Sequence, residues 1–406
     1  MKKYYLVGEK LSHSFSCDTH RFCGLNYELS ELSADELEDF LKKKDFDGLN
    51  VTIPYKKAVI PFLDEIDDIA EKIGAVNTIV NENGRLKGYN TDYFGLKYAL
   101  TAAKIELKGK KTLVLGSGGA GVAAARLATD LNAESVDVVS RSGEINYENM
   151  CEKLDTQVII NATPVGMFPC EAAAPCDLSR FKKLESVFDC IYNPFRTRLV
   201  IEAEKAGLKA SGGLKMLVAQ GLFSERLWGE TNDFEKKIPA VYTEIIGKEV
   251  NIVLVGMPGA GKTAIGKIVA KKLQREFFDT DEIVLKTTGR TSEEIITKYG
   301  EERFREAEAR AVNSLSRVRG AVIATGGGAV LNPENVDKLK SGGVVFYLER
   351  DLNSLAQNNR PLSISAPISR LFEQREGYYL AASDVKIRND KTAEEAAEKI
   401  IGEFFK

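Results

Sequence analysis

Two stretches of the chain share one pattern of apolar and polar positions: a short apolar run, a cluster of glycines and then a stretch suited to a helix. The first comprises Lys111–Leu115, Gly116–Gly121 and an alanine-rich segment to Leu131; the second comprises Val250–Val255, Gly256–Thr263 and Ala264–Leu273. Short apolar runs bounded by glycines indicate buried strands. Because strands that alternate with helices form largely parallel sheets, the pattern predicts an α/β protein.

Length and charge narrow the class of protein. A chain of 406 residues is expected to form two or three domains. The 56 Lys and Arg residues nearly balance the 59 Asp and Glu residues, so the sequence predicts no nucleic-acid and no membrane partner. No apolar run approaches the ~20 residues of a membrane span, which favours a cytoplasmic protein. The six cysteines form no C-x-x-C pair and only two histidines accompany them, which argues against a zinc site.

The segment Gly256–Thr263 reads GMPGAGKT and has the G-x-x-x-x-G-K-T spacing of a phosphate-binding loop. Its glycines let backbone N–H groups turn toward phosphates, Lys262 supplies a positive charge, and the Thr263 hydroxyl can bind Mg²⁺. A chance glycine-rich turn rarely carries both of these side chains. We therefore predict a nucleotide site with magnesium at Gly259, Ala260, Gly261, Lys262 and Thr263.

The earlier glycine cluster has the G-x-G-x-x-G spacing of a dinucleotide-binding loop, between a predicted strand and a predicted helix. The predicted contacts are Gly116, Ser117, Gly118, Gly119, Ala120 and Gly121. The next predicted strand, Val136–Val139, ends at Ser140, Arg141 and Ser142. An NAD site usually has an acidic residue at this position, whereas an arginine flanked by hydroxyls suits the 2′-phosphate of NADP. The sequence therefore favours NADP over NAD.

Four polar loops occur within the first 95 residues. They are H-S-F-S at His13–Ser16, N-V-T-I-P-Y-K at Asn50–Lys56, G-A-V-N-T at Gly74–Thr78 and N-T-D at Asn90–Asp92. Taken singly, a serine-rich turn more often caps a helix, and a lone lysine is more often a solvated surface charge. Loops of this kind are also where ligands are commonly bound. Four of them in one small lobe indicate a polar pocket.

Together these loops resemble shikimate dehydrogenase, whose pattern has Ser-x-Ser, N-V-T-x-P-x-K, N-T and N-T-D elements in the same order. The resemblance implies substrate contacts by Ser14 and Ser16 to the carboxylate, and by Thr52, Asn77 and Asp92 to ring hydroxyls. It also implies that Lys56 and Asp92 form the catalytic pair. A lysine hydrogen-bonded to a carboxylate can deliver a proton to the alkoxide that forms when hydride reduces a ketone.

The same resemblance extends through residue 247. N-A-T-P-V-G-M at Asn161–Met167, Asp189–Pro194 and Gly213–Gly221 match further motifs of the family. They imply that Tyr192 and Gln220 face the substrate and that Cys190 and Gly213 face the nicotinamide. On its residue type alone, Gln220 would be interpreted as an exposed helix position.

The resemblance also implies a domain organisation. A two-lobed dehydrogenase would occupy residues 1–247, with a substrate lobe of about 1–95 plus 214–247 and a Rossmann-type NADP-binding lobe of about 96–213. Helices from Leu214 to Trp228 and to about Ile246 would return to the substrate lobe. Gly247–Glu249 would be the whole linker, and a P-loop domain with a parallel sheet would occupy residues 250–406.

The second half of the chain resembles shikimate kinase. The matching elements are the phosphate-binding loop, D-T-D at Asp279–Asp281, G-E-E-R-F-R-E-A-E at Gly300–Glu308, G-G-G at Gly326–Gly328 and R-P-L at Arg360–Leu362. Two carboxylates two positions apart at a strand end would project to the same side. The resemblance implies ATP and Mg²⁺ at Lys262, Thr263 and Asp279, and shikimate at Asp281, Arg305, Gly327 and Arg375. Lys262, Asp281 and Arg360 would be catalytic, with Arg360 closing over ATP and the transferring phosphoryl group.

Both resemblances predict a bifunctional shikimate-pathway enzyme of aromatic amino acid biosynthesis. NADPH would reduce 3-dehydroshikimate to shikimate, and MgATP would convert shikimate to shikimate 3-phosphate. One alternative replaces the first activity with an NAD-dependent quinate/shikimate dehydrogenase, against which Ser14 and Arg141 argue. Another is a metabolite sensor without turnover, against which the retained Lys56 and Lys262 argue. The sequence is compatible with a homo-oligomer.

Overall fold

The computed structural model describes residues 2–11, 15–352, 355 and 368–406. The predicted site residues Ser14 and Arg360 lie outside these ranges. The chain divides into two compact units, Met1–Ile245 and Ile246–Lys406. Both units contain helices and largely parallel sheets, which confirms the predicted α/β fold class. None of the described helices is long and apolar enough to span a membrane.

The first unit begins with a six-stranded sheet in the order β2-β1-β3-β5-β6-β4. Its strands are β1 Tyr4–Gly8, β2 Tyr27–Glu31, β3 Gly48–Val51, β4 Glu65–Ile66, β5 Thr78–Glu82 and β6 Arg85–Tyr89. Strand β1 pairs in parallel with β2 and β3, whereas β5 pairs antiparallel with β3 and β6. The helices of this region are α1 Ser16–Phe22, α2 Ala34–Lys43 and α3 Asp68–Ile73, with a 3₁₀ helix at Ile60–Phe62.

A second sheet of the first unit has five parallel strands in the order β11-β10-β9-β7-β8. The strands are β7 Lys111–Leu115, β8 Ser135–Val139, β9 Val158–Asn161, β10 Ser186–Asp189 and β11 Lys209–Ser211. The helices are α4 Thr91–Ala102, α5 Gly119–Asp130 and α6 Arg198–Lys205, with 3₁₀ helices at Met150–Glu152 and Leu178–Arg180. The strand order reverses between β7 and β9, and open parallel sheets bind ligands where such a reversal separates the loops.

Helix α7, Leu214–Leu227, packs against α4 and α1. The close approach of α4 and α7 requires a glycine, because a Cβ added at Gly95 would lie 2.7 Å from the carbonyl oxygen of Met216. Immediately after α7, Trp228 stacks on Tyr4 of β1 with 4.7 Å between ring centroids. The indole Nε1 also donates to the Ile79 carbonyl of β5. The helix is therefore fixed to the first sheet at its C-terminal end.

The second unit contains five parallel strands in the order β13-β14-β12-β15-β16. The strands are β12 Asn251–Val255, β13 Phe277–Asp279, β14 Val322–Ala324, β15 Gly343–Glu349 and β16 Val385–Arg388. After α8, Phe234–Glu249, the helices are α9 Lys262–Leu273, α10 Thr280–Thr288, α11 Ser292–Tyr299, α12 Glu301–Ser314, α13 Pro333–Gly342, α14 Ile368–Ala382 and α15 Ala393–Phe404, with a 3₁₀ helix at Ala329–Leu331. The loops after β12 and β14 follow neighbouring strands, so they meet at one edge of the sheet.

Gly247–Glu249, which the sequence predicts to be the linker, are the last residues of helix α8. The Arg275 guanidinium donates to the carbonyls of Gly247 at 2.6 Å and Val250 at 3.0 Å. Carbonyls at the end of a helix have no partner within the helix. Arg275 supplies partners from outside it, and burial lowers the pKa of Arg275 to about 10. A tertiary contact thus extends the helix through residues whose composition is typical of a loop.

We expect Gly95→Ala to destabilise the first unit by about 1–3 kcal/mol, because the added methyl overpacks the contact between α4 and α7. Chemical denaturation of the variant measures this loss. The control is Gly402→Ala in α15, where nothing lies within 4 Å of an added Cβ. Alanine favours an open helical position, so stability there should be unchanged or higher. A Gly95→Ala variant as stable as the wild type would contradict the packing argument.

Candidate active sites

The predicted catalytic pair of the first unit is formed. Lys56 Nζ donates to Asp92 Oδ2 over 2.5 Å, and only 16% and 10% of the two side chains are exposed. Lys56 follows β3, whereas Asp92 lies in the first turn of α4, where the helix dipole favours a carboxylate. A Cβ added at Gly119 would lie 2.8 Å from Lys56 Cδ. The pair therefore lies beside the glycine loop that the sequence predicts to bind a dinucleotide.

The predicted substrate contacts Asn77 and Gln220 meet beside this pair. Their side chains lie 3.5 Å apart, and the Thr91 hydroxyl donates to Gln220 Oε1 over 3.2 Å. The Thr91 backbone N–H donates to Asn77 Oδ1 over 2.6 Å. Gln220 is only 9% exposed, so the interpretation of Gln220 as a surface helix position is wrong. Its amide is buried because α7 packs on α4 at this level.

A deeper layer of this network was not predicted. Asn50 Nδ2 donates to Thr78 Oγ1 and to Ser224 Oγ, over 3.0 and 2.9 Å, and the Tyr27 hydroxyl donates to Asn50 Oδ1. Thr78 in turn lies 3.0 Å from the Thr91 hydroxyl. A buried and satisfied polar network holds its members in fixed orientations. Asn50 belongs to the N-V-T motif, and Ser224 follows Gln220 by one helical turn, so a search for buried polar residues on that face would have found both.

The remaining predicted substrate contacts in the described ranges are Ser16, Thr52 and Tyr192. Ser16 is buried at the first position of α1, and Thr52 follows β3. The ring of Tyr192 lies 5.3 Å from that of Phe15, which immediately precedes α1. The loop after β10 is therefore close to the start of α1. Ser14, the other predicted carboxylate contact, lies outside the described residues.

The glycine loop after β7 has the form that a dinucleotide requires. A Cβ added at Gly121 would lie 1.9 Å from the Gly116 carbonyl oxygen, and Gly116 has φ +105°. Gly118 caps α5, and nothing lies within 4 Å of a Cβ added there. The N-terminus of α5, whose first N–H groups have no partner within the helix, therefore lies beside open space at Gly118, an arrangement suited to pyrophosphate. Ser117, Gly119 and Ala120 lie in the same turn.

The S-R-S segment after β8 can accept an additional phosphate. The N–H of Ser140 donates to the Ile145 carbonyl, which closes the turn, and Arg141 and Ser142 are exposed beside it. Arg141 makes no ion pair with any residue in the described part of the chain. An exposed guanidinium at this strand end is suited to a 2′-phosphate. The residues present therefore fit NADP better than NAD.

Cys190 and Gly213, which the resemblance predicts to face the nicotinamide, are adjacent. A Cβ added at Gly213 would lie 2.1 Å from the Cys190 carbonyl oxygen. Burial, with the negative charges of Asp189 and Asp92, raises the pKa of the Cys190 thiol. The thiol therefore stays protonated and acts as a small apolar wall beside the Lys56–Asp92 pair.

Asp189 is a further polar residue that was given no role from the sequence. Its carboxylate accepts hydrogen bonds from Asn161 Nδ2, the Ile191 N–H and the Thr197 hydroxyl, over 3.0, 3.0 and 2.7 Å. It thereby joins the ends of β9 and β10. Burial outweighs these three donors and raises the pKa of Asp189 to about 6. Asp189 is the first residue of the Asp189–Pro194 motif, and this position in the sequence could have indicated a role for it.

The phosphate-binding loop of the second unit is tightly folded. Lys262 Nζ donates to the carbonyls of Gly256 and Met257, over 2.8 and 3.0 Å. Gly259 and Gly261 have φ of +88° and +94°, which side chains rarely adopt. Ala260 lies between them, and its carbonyl accepts a hydrogen bond from Asn389. The loop therefore leads directly into α9, whose N-terminus suits the phosphates of ATP.

The predicted magnesium residues are in contact. Thr263 Oγ1 donates to Asp279 Oδ2 over 2.7 Å. One hydroxyl and one carboxylate fit Mg²⁺, which keeps several waters and takes further oxygens from phosphates. No group of three or more His, Cys, Asp or Glu residues in the described ranges is arranged to hold a metal by itself. A magnesium ion at Thr263 and Asp279 would take its further ligands from the phosphates of the nucleotide and from water.

The expectation that Asp279 and Asp281 both project from a strand end is wrong. Strand β13 ends at Asp279, which is the N-cap of α10, and its Oδ1 accepts the Asp281 N–H over 2.9 Å. Asp281 is in the first turn of the helix. An aspartate at the end of a strand commonly caps the following helix. Because Asp279 does so here, the helix begins at the next residue and Asp281 is helical instead of extended.

The predicted acceptor residues surround the G-G-G loop. Arg305 Nη1 donates to Glu308 Oε2 over 2.7 Å and would lie 2.1 Å from a Cβ added at Gly328. Arg375 Nη1 is 3.5 Å from the Gly327 carbonyl. A Cβ added at Gly326 would lie 3.0 Å from Asp281 Oδ1. Two arginines and the Asp281 carboxylate therefore converge on this loop.

Glu308 is an additional buried carboxylate of this cluster. It ends the G-E-E-R-F-R-E-A-E motif but was given no role from the sequence. Its Oε1 has no hydrogen-bond partner within the described residues. Burial raises the pKa of Glu308 and the positive charge of Arg305 opposes the shift. Glu308 holds the Arg305 guanidinium toward the glycine loop.

These two sites define the class of protein. A lysine–aspartate pair beside a dinucleotide loop is the site of an oxidoreductase, and a P-loop near a carboxylate and two arginines is the site of a phosphotransferase. Comparison with known proteins gives the families. The model of the shikimate dehydrogenase substrate binding domain matches residues 6–79, and the shikimate kinase model matches residues 258–404.

Individual relatives agree with the family models. The shikimate dehydrogenase (NADP(+)) of Clostridium beijerinckii is 35% identical over 263 residues, covering 60% of this chain and 97% of that protein. That of Thermococcus kodakarensis is 42% identical over 250 residues, covering 55% of this chain and 90% of that protein. The solved structure of the shikimate 5-dehydrogenase of Thermus thermophilus, in complex with NADP(H) and shikimate, is 34% identical with a TM-score of 0.54 and covers 59% of this chain and 98% of that one.

A second solved structure, the chorismate mutase/shikimate 5-dehydrogenase fusion protein from Clostridium acetobutylicum, is 38% identical with a TM-score of 0.56. It covers 60% of this chain and 97% of that one. The chain therefore belongs to the shikimate dehydrogenase family and carries a shikimate kinase domain at its C-terminal end. The resemblances derived from its motifs are confirmed, and the protein is an enzyme with oxidoreductase and kinase parts.

The raised pKa of Asp189 predicts a pH-dependent stability. The native carboxyl binds its proton more tightly than the same carboxyl in the unfolded chain. Protonated Asp189 therefore adds to the free energy of unfolding below pH about 4, and this contribution is lost as the pH rises through about 6. Asparagine cannot ionise, so the stability of Asp189→Asn does not fall in this way. Between these pH values the free energy of unfolding of the variant should rise relative to that of the wild type by about 3 kcal/mol, at ~1.4 kcal/mol per pKa unit. Denaturation at pH values of about 4.5, 6 and 7.5 measures the difference. A difference independent of pH would contradict the assignment.

Proposed function

We propose that this chain catalyses two consecutive reactions: the NADPH-dependent reduction of 3-dehydroshikimate to shikimate, and the MgATP-dependent phosphorylation of shikimate to shikimate 3-phosphate. The observation that carries the proposal is the buried Lys56–Asp92 pair against Gly119 of the dinucleotide loop. It supplies a proton donor next to the position from which hydride would be transferred. The kinase domain in the same chain supports phosphorylation of the product.

Each residue of the first site would have a separate role in ketone reduction. NADPH, when bound, supplies the hydride to the carbonyl carbon. The Lys56 ammonium donates a proton to the carbonyl oxygen as alkoxide charge develops there, and Asp92 keeps the ammonium oriented. In the reverse direction neutral Lys56 takes the proton back. Burial of the pair excludes water, which strengthens its interaction with the alkoxide.

Substrate recognition follows from the groups around the pair. Asn77 and Gln220 present amides that the buried network orients toward ring hydroxyls, with Thr52 at the end of β3. Ser14 and Ser16 would hold the carboxylate. We assign the substrate lobe to residues of about 1–95 plus 214–247 and the NADP-binding lobe to about 96–213. The first sheet and α7 support the former assignment, and the five-stranded parallel sheet supports the latter.

The second site would transfer the γ-phosphoryl group of ATP. The oxygen of the acceptor hydroxyl forms the new bond to phosphorus, the bond to the β-phosphate oxygen breaks, and ADP leaves. Asp281 would accept a hydrogen bond from that hydroxyl and take up its proton as the bond to phosphorus forms, while Lys262 balances charge on the phosphates. Arg305 and Arg375 would bind the shikimate carboxylate. Arg360 would close over the transferring group, as the resemblance implies.

Substitution of Lys56 tests whether the two activities belong to separate sites. We expect Lys56→Ala to lower ketone reduction by ~10²–10⁴-fold, the usual effect of losing a general acid, while shikimate phosphorylation stays within a few-fold of the wild type. Lys262→Ala is the matched variant and should show the opposite pattern. Spectrophotometric assays of NADPH oxidation and ADP release measure both. Loss of both activities in a folded Lys56→Ala protein would contradict the two-site proposal.

The cofactor assignment depends on Arg141. Because only NADPH carries the 2′-phosphate, Arg141→Ala should raise the KM for NADPH far more than the KM for NADH. Steady-state kinetics with 3-dehydroshikimate, and in the reverse direction with shikimate and quinate, should be run with both cofactors. Equal effects on NADPH and NADH, or a wild type that prefers quinate with NAD, would favour the quinate/shikimate alternative.

A further inference from the structure

Two loops of the second unit are in direct contact. One is the phosphate-binding loop, Gly256–Thr263, and the other is the acceptor loop, Gly326–Gly328. A Cβ added at Gly327 would lie 2.6 Å from Pro258 Cδ. The absence of a side chain at Gly327 therefore allows the acceptor loop to rest on the phosphate-binding loop. This contact fixes how far the two predicted substrates are from each other.

One side chain touches both loops. Tyr379, on α14, is completely buried, and its hydroxyl donates to the Gly327 carbonyl over 2.5 Å and lies 3.7 Å from Met257 Sδ. Its ring stacks on Tyr347 of β15 with 5.2 Å between centroids. Burial raises the pKa of Tyr379 to about 12. The hydroxyl therefore remains a hydrogen-bond donor throughout the neutral range.

The contacts on either side of Tyr379 lead to charged residues of the site. The Met257 carbonyl accepts a hydrogen bond from Lys262 Nζ, so one neighbour of Tyr379 also holds the phosphate-binding lysine. On the other side, Arg375 Nη1 lies 3.5 Å from the same Gly327 carbonyl. That distance is at the outer limit of a hydrogen bond. The Tyr379 hydroxyl is accordingly the stronger partner of this carbonyl.

We propose that Tyr379 is a positioning residue, which fixes the acceptor loop on the phosphate-binding loop through its bond to the Gly327 carbonyl. This inference rests on the proposed kinase function. The acceptor loop lies against Arg305 and Arg375, the two residues proposed to bind the shikimate carboxylate. A displaced loop therefore weakens binding of the acceptor in the in-line position that phosphoryl transfer requires. The nucleotide loop is held by hydrogen bonds from Lys262, Asn389 and Arg350 that do not involve Tyr379, so the loss of the tyrosine hydroxyl affects the acceptor side.

A purely structural role for Tyr379 makes a different prediction. Phenylalanine at this position keeps the ring and its stacking on Tyr347, and removes only the hydroxyl. If packing is all that the residue contributes, Tyr379→Phe lowers stability and leaves the substrate parameters unchanged in the folded fraction. A positioning role changes the Michaelis constant for the acceptor in protein that is fully folded.

The test compares Tyr379→Phe with Tyr378→Phe, a matched control in which the neighbouring tyrosine is half exposed. In Tyr379→Phe the KM for shikimate should rise about five- to tenfold, the equivalent of one hydrogen bond of about 1–1.4 kcal/mol. The dissociation constant of ADP without shikimate, measured by calorimetry, should stay within about twofold of the wild type. Tyr378→Phe should leave both quantities unchanged.

The outcomes separate this inference from the proposed function. An unchanged KM for shikimate in Tyr379→Phe overturns the inference alone, as does an equal weakening of ADP and shikimate binding. No shikimate-dependent ADP release by the wild-type chain would refute the proposed function, and this inference with it. Thermal unfolding of each variant, compared with the assay temperature, establishes that the assayed proteins are folded.

Discussion

The first site depends on a buried ion pair between residues from different elements. Lys56 comes from the turn after β3 and Asp92 from the first turn of α4, and the lysine stem then rests on Gly119 of the dinucleotide loop. Removing two charges from water is costly unless each has a close partner. The fold supplies both partners together, so the pair exists only where the two sheets of the first unit meet.

A buried polar network keeps the surroundings of that pair in place. Asn50, Thr78, Thr91 and Ser224 bond to one another, and through Thr91 they reach the amide of Gln220. Each of these groups would be expensive to bury without a partner. Because α7 approaches α4 closely at Gly95, Gln220 and Ser224 reach this network from a distant part of the chain. The site is thus rigid for the same reason that the core is stable.

In the second unit, site residues are brought close together by loops that lack side chains. Glycines at 326, 327 and 328 let Asp281, Pro258 and Arg305 approach a loop that could not tolerate side chains. Thr263 and Asp279 meet because β12 and β13 end at the same edge of a parallel sheet. In both units, glycine loops at strand ends therefore leave room for close contacts that a larger residue would obstruct.

The sequence by itself determined the fold class and the two families, and it predicted most of the residues that the structure brings together at the two candidate sites, because glycine spacing and polar motifs at strand ends are local properties. It did not determine that Asp281 would lie on a helix, that Gln220 would be buried, or that Gly247–Glu249 would be helical. Asp281 is helical because Asp279 caps the helix, and Gln220 is buried because α7 packs on α4. The end of α8 is held by the Arg275 guanidinium, which is distant along the chain. Tyr379, Ser224 and Asp189 gained their roles in the same way. Local propensity is a sum over neighbours in sequence, whereas burial and hydrogen bonding are decided by neighbours in space.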